Sequence, residues 1–120
     1  MFQMGNKIKT DFGEIIISKE VIGLLAGMAA VECYGIVGMA STKIRDGLSE
    51  ILKRENLSKG VEVNTSGESL NIDLYIIVGY GIKISEIGQN VIEKVKYVVE
   101  NKTGLKINNI NINVQGVRVV

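Results

Sequence analysis

Apolar and polar positions alternate along this chain in two distinct periods, and the switches between them mark out its elements. Ile15, Ile16 and Ile17 form a short apolar strand that turns at Ser18. A stretch rich in small apolar residues follows, from Val21 to Val31, which predicts a helix running to a stop at Gly35-Ile36-Val37-Gly38. Ser18 suits the N-cap, because its hydroxyl can accept from a free backbone N–H of the first turn. Gly35 suits the stop, because glycine enters the left-handed conformation cheaply. Gly23, Gly27, Ala26 and Ala30 give this helix a face without bulk. Each internal glycine costs about 1 kcal/mol relative to alanine, so the pair predicts close approach by another backbone.

Beyond it, Ile44, Leu48, Ile51 and Leu52 recur at helical spacing among charged residues and predict a short amphipathic helix ending near Asn56. The period then changes to two. Residues 61–65 and 70–80 alternate around Ser66-Gly67-Glu68-Ser69, which predicts an antiparallel hairpin. Leu70, Ile72, Leu74, Ile76 and Val78 point to one face, and Asn71, Asp73, Tyr75 and Ile77 to the other. A second helix should take Ser85 as its N-cap, bury Ile87, Val91, Val95 and Val98, and close at Gly104 with Leu105 beneath it. The last strand places Ile110, Ile112 and Val114 inward and Asn109, Asn111, Asn113 and Gln115 outward. The resulting order, β-α-(α)-β-β-α-β, predicts an α+β two-layer sandwich: a four-stranded, mainly antiparallel sheet with helices on one face. A split βαβ arrangement of the ferredoxin type is the simplest such topology. Residues 1–12 read as a flexible lead-in or an edge strand, and 13–120 as one domain.

Composition narrows the function more than the fold. The 120 residues carry a net charge of +1, which provides no global field for nucleic acid or an acidic membrane. Histidine is absent, which removes the commonest general base and metal ligand. The single cysteine, Cys33, cannot form an internal disulfide and fits a reducing compartment. The first residues lack the apolar core of a secretory signal, and the run Val21 to Val31 falls short of the roughly 20 residues that cross a bilayer.

Short motifs add little chemistry. Gly79-Tyr80-Gly81 follows a strand, but Ile84 occupies the third glycine position of a dinucleotide fingerprint, so a tight turn is the better reading. Residues 81–85 lack the Lys-Ser/Thr pair of a phosphate loop. Cys33 near a helix C-terminus reads as a buried thiol with a raised pKa. Asp11, Glu14, Glu62, Glu68 and Asp73 are scattered, and Lys53-Arg54 with Lys59 is too small a basic cluster for nucleic acid. Asn-X-Ser/Thr triplets at Asn56, Asn64 and Asn101 have no secretory context. No catalytic, cofactor-binding or metal-ligating residues are expected. The least ordinary feature is the outward sheet face, expected to carry Ile16, Tyr75 and Ile77 among polar neighbours. Apolar residues clustered on a flat sheet are either a contact surface or ordinary exposure.

In order and spacing these segments resemble the alkaline-shock or envelope-stress-response family of Gram-positive bacteria, the Asp/Gls type. The resemblance rests on Gly13-x-Ile15-x-Ile17-Ser18-x-x-Val21-Ile22 with its small-residue helix, and on Gly35-Ile36-Val37-Gly38-Met39. Asp73-Leu74-Tyr75 with Tyr80-Gly81, Thr103-Gly104-Leu105 and Val114-Gln115-Gly116-Val117 complete it. It implies a cytoplasmic, non-enzymatic protein linked to envelope homeostasis, with protein partners that include a membrane-anchored one, and self-association. The family pattern contains no catalytic residues. Two rival readings stand beside this one. A small RNA-binding α+β domain would present Tyr75 to bases, though no Arg or Lys accompanies it on the strand. An enzyme would need the carboxylates or Cys33 to converge in a deep pocket.

Overall fold

A computed structural model describes residues 1–42 and 51–119. The fold is α+β, with a four-stranded sheet, mainly antiparallel, whose one face carries both long helices. Seven strands occur among the described residues: β1 (Phe2–Met4), β2 (Lys7–Thr10), β3 (Gly13–Ile16), β4 (Ile36–Met39), β5 (Val61–Ser66), β6 (Ser69–Gly79) and β7 (Asn109–Arg118). The long helices are α1 (Lys19–Val31) and α2 (Ile84–Thr103), and a short 3-10 helix spans Arg54–Gly60.

The main sheet is organised around β6. Leu70, Ile72, Leu74, Ile76 and Val78 are fully buried on the helix-bearing face, as their alternation predicts. The hairpin partner β5 covers only the first half of β6, from Ser66↔Ser69 to Val61↔Leu74. The second half of that edge would leave backbone N–H and C=O groups unpaired, and β4 fills it, with Ile36 opposite Val78 and Met39 opposite Ile76. Residues 36–39 were expected at the end of a helix. Instead α1 stops at Val31 with Glu32 as its C-cap, and the chain turns through Gly35 (φ 88°) before entering β4. On its other edge β6 pairs in parallel with β7, from Asn71↔Asn109 to Gly79↔Arg118, with α2 as the crossover.

This direct β6-α2-β7 unit differs from the expected split βαβ, in which the opening strand lies between the two. That opening strand, β3, pairs instead with β2, from Lys7↔Ile16 to Thr10↔Gly13. Local pairing across a two-residue turn requires far less loop closure than joining a distant strand, so the hairpin wins. Residues 1–12 thereby form β1 and β2 of a separate antiparallel sheet, in the order β1-β2-β3. Its inward side chain, Ile8, enters the main core. Gln3 fastens it to the corner between α2 and β7: its Nε2 donates to the Lys106 carbonyl at 2.9 Å and its Oε1 accepts from the Lys106 N–H at 2.7 Å.

Ser18 caps α1 as expected, its Oγ accepting from the Val21 N–H at 3.1 Å. The glycine face of α1 meets the 3-10 helix. A Cβ on Gly27 would stand 3.1 Å from both Cβ and the carbonyl oxygen of Leu57, so the missing side chain is the space that Leu57 occupies. Of the expected amphipathic helix, residues 43–50 lie outside the described residues. Ile51 and Leu52 are not helical: Ile51 bridges to Ala40, and the Leu52 N–H donates to the Met39 carbonyl at 2.8 Å. The helix α2 begins one residue before Ser85, with Lys83 at the cap and no side-chain capping bond. It buries Ile87, Val91, Val95 and Val99, the last in place of Val98, which packs half-buried beside them. Gly104 closes it at φ 79°, with Leu105 fully buried next to it.

Candidate interaction surfaces

Three surfaces follow from this architecture. The first is the helix-free face of the main sheet. Cα pairing sets Glu62 (β5), Asp73 (β6) and Asn111 (β7) in one row, Asn64, Asn71 and Asn109 in the next, and Tyr75 beside Asn113. The side chains bond to one another across the strands. Asn111 Nδ2 donates to Asp73 Oδ1 at 2.8 Å, Asn64 Nδ2 to Asp73 Oδ2 at 3.3 Å, and Asn109 Nδ2 to Asn71 Oδ1 at 3.1 Å. Asn113 Nδ2 reaches the Leu74 carbonyl at 3.3 Å. Glu62 and Asp73 face each other as like charges, which a free sheet tolerates at a small cost. Partial burial pushes the Tyr75 phenol pKa up, and the nearby Glu62 and Asp73 carboxylates push it the same way. Tyr75 is therefore a neutral, half-buried phenol beside an acidic-amide row.

The three residues expected to share this face do not. Tyr75 lies on it. Ile77 points to the same side but is completely buried. Its cross-strand neighbours are Gly38 and Gly116, and Ile51 lies so close to Gly38 that a Cβ there would come within 2.6 Å of it. Alternation correctly assigned the side of the sheet but carried no information about what covers it. Ile16 belongs to the other sheet, where it is 61% exposed. The register places it on the side of β1–β3 that also carries Phe2, Met4, Lys7 and Lys9, and this second surface was not foreseen. Phe12, at the tip of the β2–β3 turn, is fully exposed.

The third is a cleft of about 310 Å³ lined by Met28, Val31, Val37, Ile51, Leu52 and Leu57, with Glu32 and Arg54 among its polar residues. No cluster of acids or thiols suited to a metal ion occurs among the described residues. Cys33 is half-buried, with its Sγ donating to the Ala29 carbonyl at 3.6 Å. Burial raises its pKa; Lys94 pulls it down and Glu32 adds to the rise. The direction matches the sequence expectation, but burial leads, since Cys33 lies beyond the end of α1. A thiol held protonated is a poor nucleophile.

The architecture is thus an α+β sandwich with a bare polar sheet face, a second small sheet of mixed apolar and charged residues, and an apolar cleft. Residues 7–119 match the alkaline shock protein 23 family, which has a cell envelope-related function, and the chain belongs to that family. It is 57% identical to YloU of Bacillus subtilis over 117 residues, which span 97% of this chain and 98% of that protein. It is 40% identical to Spy1614 of Streptococcus pyogenes over 115 residues, 95% of each chain. YqhY of Bacillus subtilis is 34% identical over 109 residues, covering 91% of this chain and 80% of that one. Among solved structures, a zinc form of the MamM C-terminal domain aligns with a TM-score of 0.47 at 15% identity, over 84% of this chain and 85% of that one. A nickel form of the same domain aligns with a TM-score of 0.48 at 15% identity, over 81% and 96%. No helix among the described residues is long and apolar enough to cross a membrane.

Proposed function

We propose that this protein is a non-enzymatic interaction module of the cell envelope, acting in the cytoplasm through contacts with protein partners, a membrane-anchored one included, and with further copies of itself. The observation that carries the reading is the amide and carboxylate lattice around Tyr75. Binding usually costs the entropy of ordering interface side chains. Here Asn64, Asn71, Asp73, Asn109 and Asn111 are already held by one another, so a partner meets a surface ordered in advance. A tyrosine within such a surface offers a large apolar area and a polar tip, the combination that dominates interface energetics. The flanking charges, Glu62 and Asp73, repel a phosphate backbone and favour a protein partner over RNA.

The test compares membrane fractions of cells carrying the parent and Tyr75→Ala, with circular dichroism confirming that both are folded. The variant should lose co-fractionation with the membrane and lose the proteins crosslinked to the parent. A folded variant that retains both would remove this face from the function.

A further inference from the structure

The outer edge of β7 is the feature that the lattice around Tyr75 leaves unexplained. β7 pairs with β6 along one side and with no strand on the other among the described residues. It spans 10 residues, well above the short edges that natural sheets present to water. Proteins usually blunt such an edge with lysine, proline, an inward charge or a bulge. From Asn109 to Val114 there is none of these, only alternating amides and aliphatics; the irregularity in the pairing comes at the end of this stretch, near Gln115. The apolar row is also incompletely covered. On β6 Ile72, Leu74 and Ile76 are fully buried, whereas their β7 neighbours Ile110, Ile112 and Val114 are only partly so.

We infer that a second copy of this chain adds to this edge, β7 pairing antiparallel with β7 across a two-fold axis at Ile112. The strand is its own complement in that register. Ile112 meets Ile112, Ile110 meets Val114 and Asn111 meets Asn113, so apolar stays opposite apolar on the core side and amide opposite amide on the open side. No charge falls opposite a like charge. Half of the edge's backbone N–H and C=O groups gain partners, and the two sheets become one continuous sheet with helices on a single face. The contact is isologous and closes at a dimer. This deepens the self-association named above and rests on that part of the reading.

The test uses charge at the two facing amide positions. In Asn111→Lys with Asn113→Lys, lysines oppose lysines twice across the axis, and circular dichroism confirms that each protomer stays folded. In Asn111→Lys with Asn113→Glu, each lysine opposes a glutamate. Sedimentation equilibrium should show a dimer for the parent, an affinity at least about tenfold weaker for the double lysine, and recovery for the Lys/Glu pair. Hydrogen exchange should show 109–115 becoming protected as the parent is concentrated. A parent that stays monomeric at millimolar concentration overturns the inference, as does a double lysine that dimerises like the parent. Protection of 109–115 that appears only when membrane extract is added assigns the edge to another protein and also overturns it. The membrane-fraction comparison for Tyr75→Ala is independent of these results, so the wider interaction reading fails or survives separately.

Discussion

Gly23 and Gly27 stand one turn apart on the same face of α1, yet alanine should have different effects at the two. Each replacement gains about 1 kcal/mol of helix propensity. At Gly23 the new Cβ would lie 3.6 Å from the Ser58 carbonyl oxygen and from Val61 Cβ, which is ordinary van der Waals contact. Gly23→Ala should therefore stabilise by about 1 kcal/mol, raising the melting temperature by about 4 °C in a domain of this size. At Gly27 the Cβ would meet Leu57 Cβ and the Leu57 carbonyl oxygen at 3.1 Å, and part of that neighbour is backbone. The 3-10 helix would have to retreat by a few tenths of an ångström, which offsets the propensity gain or exceeds it. Gly27→Ala should thus lie at least about 1 kcal/mol below Gly23→Ala. Gly27→Leu should lose about 1–3 kcal/mol outright, by overpacking. Urea titration with a shared m-value reads all three from the midpoints. If Gly27→Ala stabilises as much as Gly23→Ala, Leu57 does not bear on α1 and the packing argument fails.

Tyr75 and Ile77 should separate cleanly. Tyr75→Ser should change stability by less than about 1 kcal/mol, whereas Ile77→Ser should cost about 2–5 kcal/mol because it empties a fully buried site; equal midpoints in urea would contradict the covered end of the sheet. Burial acts to raise the Glu100 pKa but is outweighed by the Ile107 N–H bonded at 2.9 Å, by Lys96 at 3.2 Å and by Lys106, so the folded value is lowered. Between the folded and unfolded values the unfolded chain binds more protons, so this contribution is complete above the ordinary carboxylate value and is lost as pH falls through the folded one. Melting curves of Glu100→Gln from pH 7 to pH 3 should show a shallower acid decline than the parent, and superimposable declines would refute the linkage. Cys33→Ala should retain envelope function with a modest stability loss, and the parent thiol should label at neutral pH more slowly than a free thiol; faster labelling would contradict its raised pKa.

How the chain makes its elements was legible in the sequence because those elements are set by neighbours. The buried row from Leu70 to Val78, the Ser18 cap, the Gly104 stop and the glycine face of α1 all follow from period and local backbone chemistry. Asn109, Asn111 and Asn113 were likewise readable as one outward row. What the tertiary structure decided was which strand meets which, and what lies over each face. Gly13–Ile16 joined its neighbour β2, leaving β6 to pair directly with β7, and the half of the opposite edge that β5 leaves open went to Ile36–Met39, a segment too short and too glycine-rich to declare itself as a strand. Ile77 alternates with the core and would be open on that evidence, yet it is fully buried, next to Gly38 on the neighbouring strand. The lattice around Tyr75 required β5, β6 and β7 to bring Asn64, Asp73 and Asn111 within hydrogen-bonding reach from positions up to 47 apart in the chain. Periodicity reports the side to which a residue points, because that depends on backbone geometry within a few residues. Coverage and cross-strand partners depend on long-range pairing, where the competing arrangements differ by loop closure and a few backbone hydrogen bonds that no local pattern records.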